Sequence, residues 1–214
     1  PRTIGDVSNP RRVAVLGSTG SVGTQTLDVI RQSPEFFAVD SLAAGRNHAK
    51  LAEQVREFRP KRASWESEPS ADLVAALAET NCAFASTEDL ALACDVPLIA
   101  TAGAAGLFPT LAALRAGMPV AIANKEVLVM AGNLVRKAMA AGGGRLHPVD
   151  SEHSAIWQCL WGEEDHAVRR ILLTASGGAF RDYDASQLAG VTAEQALNHP
   201  TWNMGPKITV DSAT

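Results

Sequence analysis

The chain has 214 residues, 46% hydrophobic and 20% charged, proportions that suit one large globular domain or one and a half. Its formal net charge of -4 excludes the broadly basic face that general nucleic-acid or membrane-surface binding requires. Cys82, Cys94 and Cys159 have no CxxC spacing and cannot all pair within the chain, which predicts buried thiols in a reducing compartment.

Arg12 to Gly17 is a short apolar run ending in glycine, and Ser21 to Arg31 follows with helical spacing at Val22, Leu27 and Ile30. This predicts strand, tight turn, helix. Phe36 to Ala44 predicts a second strand, and Asn47 is a natural cap for a helix over His48 to Phe58. Further strands are predicted at Lys61 to Trp65, Pro97 to Ala102, Pro119 to Ala123 and Arg145 to Val149, with helices near 70–79, 87–93, 107–116 and 126–140. Such alternation predicts a parallel sheet covered on both faces, an α/β domain of the Rossmann-type doubly wound kind over residues 1–149. Val96 to Leu114 carries no charge for 19 positions, long enough to span a bilayer if uniformly apolar. Pro97, Thr101, Gly103, Gly106, Pro109 and Thr110 break it into strand, turn and helix start. No signal or transit pattern precedes the first strand.

After Val149 the texture changes, and residues 150–214 are expected to form an incomplete α/β catalytic domain. Ser154 to Leu160 reads as helix, Val168 to Thr174 as a buried strand closed by Ser176-Gly177-Gly178, and Ala193 to Leu197 as a short helix. Lys207 to Val210 reads as another strand, with nothing after it to pack its other face. The sequence therefore reads as a fragment, or as one lacking a partner segment.

Gly17-Ser18-Thr19-Gly20-Ser21-Val22-Gly23 is a variant of the dinucleotide fingerprint. Gly17 permits the tight turn, Gly20 lets the backbone approach a pyrophosphate, and Gly23 allows close packing of helix on strand. Backbone N–H groups at the helix start then face the phosphates. Enzymes that use NAD usually carry an acid at the end of the second strand, against the ribose 2′-hydroxyl. Here stands Gly45-Arg46-Asn47, with Asp40 mid-strand. A guanidinium at Arg46 suits a 2′-phosphate, so NADPH is the expected cofactor. Asn124-Lys125-Glu126 ends a later strand, where ligands gather in such sheets; Asn124 can equally cap the next helix, with Glu126 favouring its dipole.

In an extended segment Asp150 and Glu152 would point the same way and converge on one cation, and oxygen-only ligation favours Mg²⁺ or Mn²⁺. The competing reading is an acidic first helical turn capped by Ser151. Asp182, Asp184 and Asp211 are available as a third ligand, with no spacing that selects one. Ser176-Gly177-Gly178 could wrap a phosphate or be a plain turn. In His199-Pro200-Thr201-Trp202-Asn203-Met204-Gly205, a closing Trp202 would exclude water while His199 touches the ligand.

The segments GSTGSVGTQTLDV, AGRN, ANKE, PVDSEH, TASGGAF, HPTWNMG and KITVDSAT occur in this order. Together they resemble the 1-deoxy-D-xylulose 5-phosphate reductoisomerase family of non-mevalonate isoprenoid synthesis. The resemblance covers almost the whole chain but only the first part of a typical member. It implies NADPH at Thr19, Gly20, Ser21, Val22, Gly45, Arg46, Asn47, Asn124, Glu126 and Gly205, and a divalent metal on Asp150 and Glu152. It implies a phosphorylated sugar at Lys125, Ser151, Glu152, Ser176, His199, Trp202 and Ser212, with Lys125, Asp150, Glu152 and His199 as the catalytic set. The implied reaction is metal-assisted rearrangement to a branched aldehyde, then hydride reduction to 2-C-methyl-D-erythritol 4-phosphate. A homodimer in the cytoplasm, or the plastid stroma for a plant-type enzyme, is expected, with no nucleic-acid or membrane partner. The alternatives are a non-catalytic NADP-binding module and a dehydrogenase of the semialdehyde or homoserine type.

Overall fold

The computed structural model describes residues 9–163, 168–203 and 205–211. The chain divides into two compact units, Pro1–Asp150 and Ser151–Thr214.

In the first unit β1 (Arg11–Leu16), α1 (Ser21–Gln32), β2 (Phe37–Ala43), α2 (His48–Phe58), β3 (Arg62–Ser64), α3 (Ala71–Thr80), β4 (Ala83–Phe84) and α4 (Thr87–Leu92) follow one another. Then come β5 (Val96–Ile99), a 3₁₀ turn (Gly103–Gly106), α5 (Leu107–Arg115), β6 (Pro119–Ile122), α6 (Lys125–Gly142) and β7 (Arg145–Pro148). The strands form one sheet in the order β4-β3-β2-β1-β5-β6-β7, every neighbouring pair parallel. Successive residues of β1 pack into different clusters, as a pleated strand covered on both faces requires. Val13 and Val15 join Leu27, Ile30, Leu51, Val55 and Leu73. Ala14 and Leu16 join Ile99, Leu111, Leu114, Val127 and Val135. Because β1 pairs with both β2 and β5, the chain winds away from it in two directions, which leaves a crevice at the carboxyl ends of these strands.

The doubly wound α/β reading holds, with two additions. The two-residue strand β4 and the 3₁₀ turn are too short to produce a periodic signal. Helix α6 is interrupted at Ala131, with φ -139° and ψ 23°. Cys82 and Cys94 are buried, and burial pushes each thiol up to about 11. Cys159 is exposed, contrary to the expected set of buried thiols.

The second unit departs further from expectation. It contains α7 (Ser151–Cys159), α8 (Ala185–Leu188), α9 (Ala193–Ala196) and α10 (Pro206–Asp211), with no strand among its described residues. Val168 to Thr174 is not a buried strand: Ile171, Leu172 and Leu173 are 58%, 69% and 66% exposed. Apolar, β-branched composition favours a strand, but a strand also needs a partner for its backbone groups, and no described segment of this unit supplies one. Lys207 to Val210 lies in helix α10. Proline suits the first helical position, and both the backbone N–H and the Oγ1 of Thr209 donate to the Gly205 carbonyl four residues back.

Candidate functional site

The glycine-rich turn joins β1 to α1 at the crevice beside β5. Gly17 has φ 94°, a left-handed conformation, and a β-carbon there would sit 2.4 Å from the Ala100 carbonyl oxygen. Gly23 approaches the same turn from the helix: its β-carbon would sit 2.2 Å from the Gly17 carbonyl oxygen. The N–H groups of Gly17 and Ser18 both donate to the Ala43 carbonyl at 2.8 Å, tying the turn to β2. Ser18 is fully buried; its Oγ donates to Gln54 Oε1 at 2.7 Å, and Gln54 Nε2 donates to the Ser18 carbonyl at 2.9 Å. Neither Ser18 nor Gln54 carries a sequence signal, since a serine in a turn and a glutamine on a helix read as solvent-facing.

Helix α1 opens at Gly20 with no side-chain cap, whereas Asn47, Ser70, Ser86 and Asn124 cap α2, α3, α4 and α6. The first-turn N–H groups of a helix have no partner within it. At Ser21 and Val22 they remain available beside the crevice, together with the positive end of the helix dipole. On the neighbouring β2–α2 turn, Arg46 is exposed and makes no ion pair among the described residues. Asn47 accepts the Lys50 N–H at 3.2 Å. Asp40 lies within β2 at a bulge and is buried, 3.4 Å from the Arg12 guanidinium, so it is not the acid of a ribose site.

Asn124 is 1% exposed and its amide is engaged on both sides. Nδ2 donates to the Thr101 and Gly103 carbonyls at 2.8 and 2.9 Å, while Oδ1 accepts the Val127 N–H at 3.0 Å. Its side chain thus caps α6, as one of the two sequence readings expects, and clamps the loop after β5. Gly106 makes room for it, since a β-carbon there would lie 2.7 Å from Asn124 Nδ2. Glu126 stands in the first turn of α6. Lys125 opens the same helix after β6, and its Nζ lies 3.3 Å from Asp150 Oδ2, just beyond β7. The structure therefore brings Lys125 and Asp150 together at the carboxyl end of adjacent strands.

The extended geometry expected for Asp150 and Glu152 is not found. Ser151 and Glu152 form the first turn of α7, and Ser151 Oγ donates to Glu152 Oε2 at 3.0 Å. Glu152 lies in the first turn of α7, where an acid complements the dipole, while Asp150 precedes the helix, just beyond β7. Among the described residues no cluster of three His, Cys, Asp or Glu side chains could hold a metal ion. Asp184 is engaged as the cap of α8: it accepts the Ser186 and Gln187 N–H groups and the Ser186 hydroxyl, which holds its carboxyl below the usual range. Asp182 pairs with Arg181 at 3.3 Å. Two hard oxygen donors of the right kind are present; a third is not selected.

In the second unit Ser176 and His199 meet across 23 positions of sequence, with His199 Nε2 3.0 Å from Ser176 Oγ. His199 Nδ1 accepts the N–H groups of Thr201 and Trp202 at 3.1 and 3.0 Å, so the proton of the neutral ring sits on Nε2 and is donated to Ser176. Ser176 Oγ also accepts the Gly178 N–H at 3.3 Å. Gly177 and Gly178 have φ 80° and 74°. Trp202 is 57% exposed and His199 is buried. Gly205 accepts from Thr209 at the start of α10. Ser212, expected among the contacts to the phosphorylated sugar, lies outside the described residues, as does Met204.

Residues 13–132 match the family model described as 1-deoxy-D-xylulose 5-phosphate reductoisomerase, and residues 146–214 match the model of its C-terminal domain. A curated relative of that name from Gloeobacter violaceus is 49% identical over 95% of this chain and 54% of its own length. One from Exiguobacterium sp. is also 49% identical, again over 95% and 54%. A crystal structure of DOX-P reductoisomerase with NADPH, fosmidomycin and magnesium superposes with a TM-score of 0.84 at 36% identity, covering 95% of this chain and 54% of that one. The Zymomonas mobilis enzyme in complex with NADPH gives 0.83 at 43% identity, over 96% and 54%. The chain spans about half the length of the curated relatives it matches. Among the described residues no helix is long and apolar enough to cross a membrane.

Proposed function

The chain belongs to the 1-deoxy-D-xylulose 5-phosphate reductoisomerase family, and from that premise we propose that it binds NADPH on its parallel sheet and contributes the first carboxylates of a divalent-metal site to the isomerisation and reduction of 1-deoxy-D-xylulose 5-phosphate. The observation that carries the NADPH assignment is the uncapped first turn of α1 at the switch between β1 and β5, where the backbone packs too closely at Gly17 and Gly23 to admit a β-carbon. Thr19, Gly20, Ser21 and Val22 take the pyrophosphate, and Gly45, Arg46 and Asn47 take the adenosine ribose with its 2′-phosphate. Asn124 shapes the nicotinamide side through the loop that it clamps, with Glu126 beside it, and Gly205 completes the set.

Asp150 and Glu152 fit Mg²⁺ or Mn²⁺ in kind, being hard oxygen donors. When bound, such an ion supplies Lewis-acid polarisation of the substrate oxygens. Lys125 pairs with Asp150 and offers a mobile cation to an anionic sugar phosphate. Ser151, Ser176, Ser212 and His199 contact the substrate, and Trp202 covers it. These roles rest on the match of each residue to the family motifs. The family match leaves the semialdehyde and homoserine dehydrogenase reading without support. A homodimer working in the cytoplasm, with a phosphorylated sugar as its small-molecule partner, fits this reading.

Calorimetric titration with NADPH and with Mn²⁺, beside an assay of substrate-dependent NADPH oxidation, tests the proposal. NADPH binding with weak Mn²⁺ binding and poor turnover by these 214 residues is expected, since two carboxylates leave a six-coordinate ion short of ligands. Absence of NADPH binding would contradict the cofactor assignment, and tight Mn²⁺ binding with full turnover would contradict the account of the metal site.

A further inference from the structure

The end of the second strand is where a nucleotide-binding sheet of this kind distinguishes a ribose 2′-hydroxyl from a 2′-phosphate, usually with an acid carried by that strand. This chain has Ala43, Ala44 and Gly45 there, none with a side chain that reaches a ligand. A carboxylate is nonetheless present, brought from the end of β3. A β-carbon on Gly45 would lie 3.6 Å from Glu66 Oε2, 3.7 Å from Cδ and 3.9 Å from Oε1, so the carboxylate of Glu66 stands over the bare face of Gly45.

The backbone bearing Glu66 is tied to this turn. The Glu66 N–H donates to the Gly45 carbonyl at 3.3 Å. His48, buried at the start of α2, has its Nε2 2.8 Å from the Glu66 carbonyl. Its Nδ1 accepts the Ser70 N–H at 3.2 Å, which places the ring proton on Nε2 as the donor to Glu66. Ser67, next in the chain, is held at φ 62°, so the segment turns sharply after Glu66. Glu66 itself is exposed and makes no ion pair among the described residues, and Arg46 is exposed next to Gly45.

We propose that Glu66 is a specificity-determining residue of the nucleotide turn, a carboxylate borrowed from β3 that accepts from a ribose 2′-hydroxyl and counteracts the preference for a 2′-phosphate that Arg46 creates. The inference rests on the reading that Gly45, Arg46 and Asn47 bind the adenosine ribose. Opposite charges flank one position: a 2′-phosphate is drawn by the guanidinium and repelled by the carboxylate, whereas a 2′-hydroxyl can donate to the carboxylate. The chain therefore favours NADPH less than Arg46 alone would dictate.

Titration calorimetry of the 214-residue chain with NADPH and with NADH, for the unmodified protein, Glu66→Gln and Arg46→Ala, separates the two claims. Both side chains are exposed, so circular dichroism of the variants should match the parent. Glu66→Gln should tighten NADPH about threefold to tenfold and weaken NADH severalfold, with the NADPH gain shrinking at about 0.5 M salt, as screening of an exposed charge requires. Arg46→Ala should weaken NADPH far more than NADH. If Arg46→Ala behaves so while Glu66→Gln leaves the NADPH to NADH ratio unchanged, the role of Glu66 is overturned and the turn assignment stands. If neither variant moves the ratio, the ribose assignment fails and the role of Glu66 with it.

Discussion

Lys125 Nζ lies 3.3 Å from Asp150 Oδ2, so the helix start that follows β6 and the chain that leaves β7 present a cation and a carboxylate side by side. An ammonium so placed competes with any divalent ion for the same oxygen. Lys125→Met should raise Mn²⁺ affinity about threefold, the scale of one partly screened charge. Asp150→Asn should lower it at least about tenfold, by removing a charged ligand. Free Mn²⁺ measured by electron paramagnetic resonance decides; equal affinity in both variants would remove Asp150 from the metal site.

The glycines of the fingerprint have separable roles. Gly23→Ala puts a methyl 2.2 Å from the Gly17 carbonyl oxygen and should cost about 1–3 kcal/mol of stability as overpacking. Gly20→Ala meets only that oxygen, at 3.3 Å, and sits at the exposed helix entrance. It should leave the urea midpoint nearly unchanged while weakening NADPH severalfold. Loss of stability in Gly20→Ala comparable to that in Gly23→Ala would refute this division.

His199 uses its two nitrogens differently, Nδ1 for the Thr201 and Trp202 amides and Nε2 for Ser176. Asparagine can present an acceptor near the Nδ1 position, and glutamine can present a donor near Nε2. Hydrogen exchange at the Thr201 and Trp202 amides should remain slow in His199→Asn and quicken in His199→Gln. Nitrogen-15 shifts of the imidazole should report the Nε2–H tautomer in the parent protein. A ring protonated at Nδ1 alone would contradict the arrangement.

His147 in β7 has its pKa held below the ordinary value, by burial foremost and then by the positive charges of Arg145 and Arg11. The folded pKa is thus below the unfolded one, so the unfolded chain binds the proton more readily. This stabilisation is present above the unfolded pKa and is lost as pH falls through the folded one. His147→Gln should therefore flatten the decline of the urea midpoint as pH falls from 7 to 5. An unchanged slope would show that His147 is not a source of it.

The first 150 residues were legible because a buried parallel sheet writes itself as short apolar runs separated by capped amphipathic helices. Asn47 and Asn124 were readable as caps from their type and place, and Gly17 to Gly23 from their spacing. What the sequence hid was partnership between distant residues: Ser18 with Gln54, Asn124 with Gly103, Gly45 with Glu66. In the second unit, Val168 to Thr174 and Lys207 to Val210 misled for a single reason. β-branched composition records a preference for a pleated surface, while strand formation depends on a neighbour that composition does not report. For Asp150 and Glu152 the sequence leaves a strand end and an acidic helix start equally open, because no signal separates them; in the structure Glu152 opens α7 and Asp150 stands between β7 and that helix.

The central claim is that NADPH lies along the carboxyl edge of the parallel sheet, between the glycine turn and Arg46. An amide nitrogen–proton correlation spectrum recorded during NADPH titration tests it most directly. The largest shifts should fall on Thr19 to Gly23 and on Gly45 to Asn47, with Asp95 at the opposite edge of the sheet undisturbed. Shifts absent from the glycine turn, or centred on Asp95 and Arg12, would contradict the account.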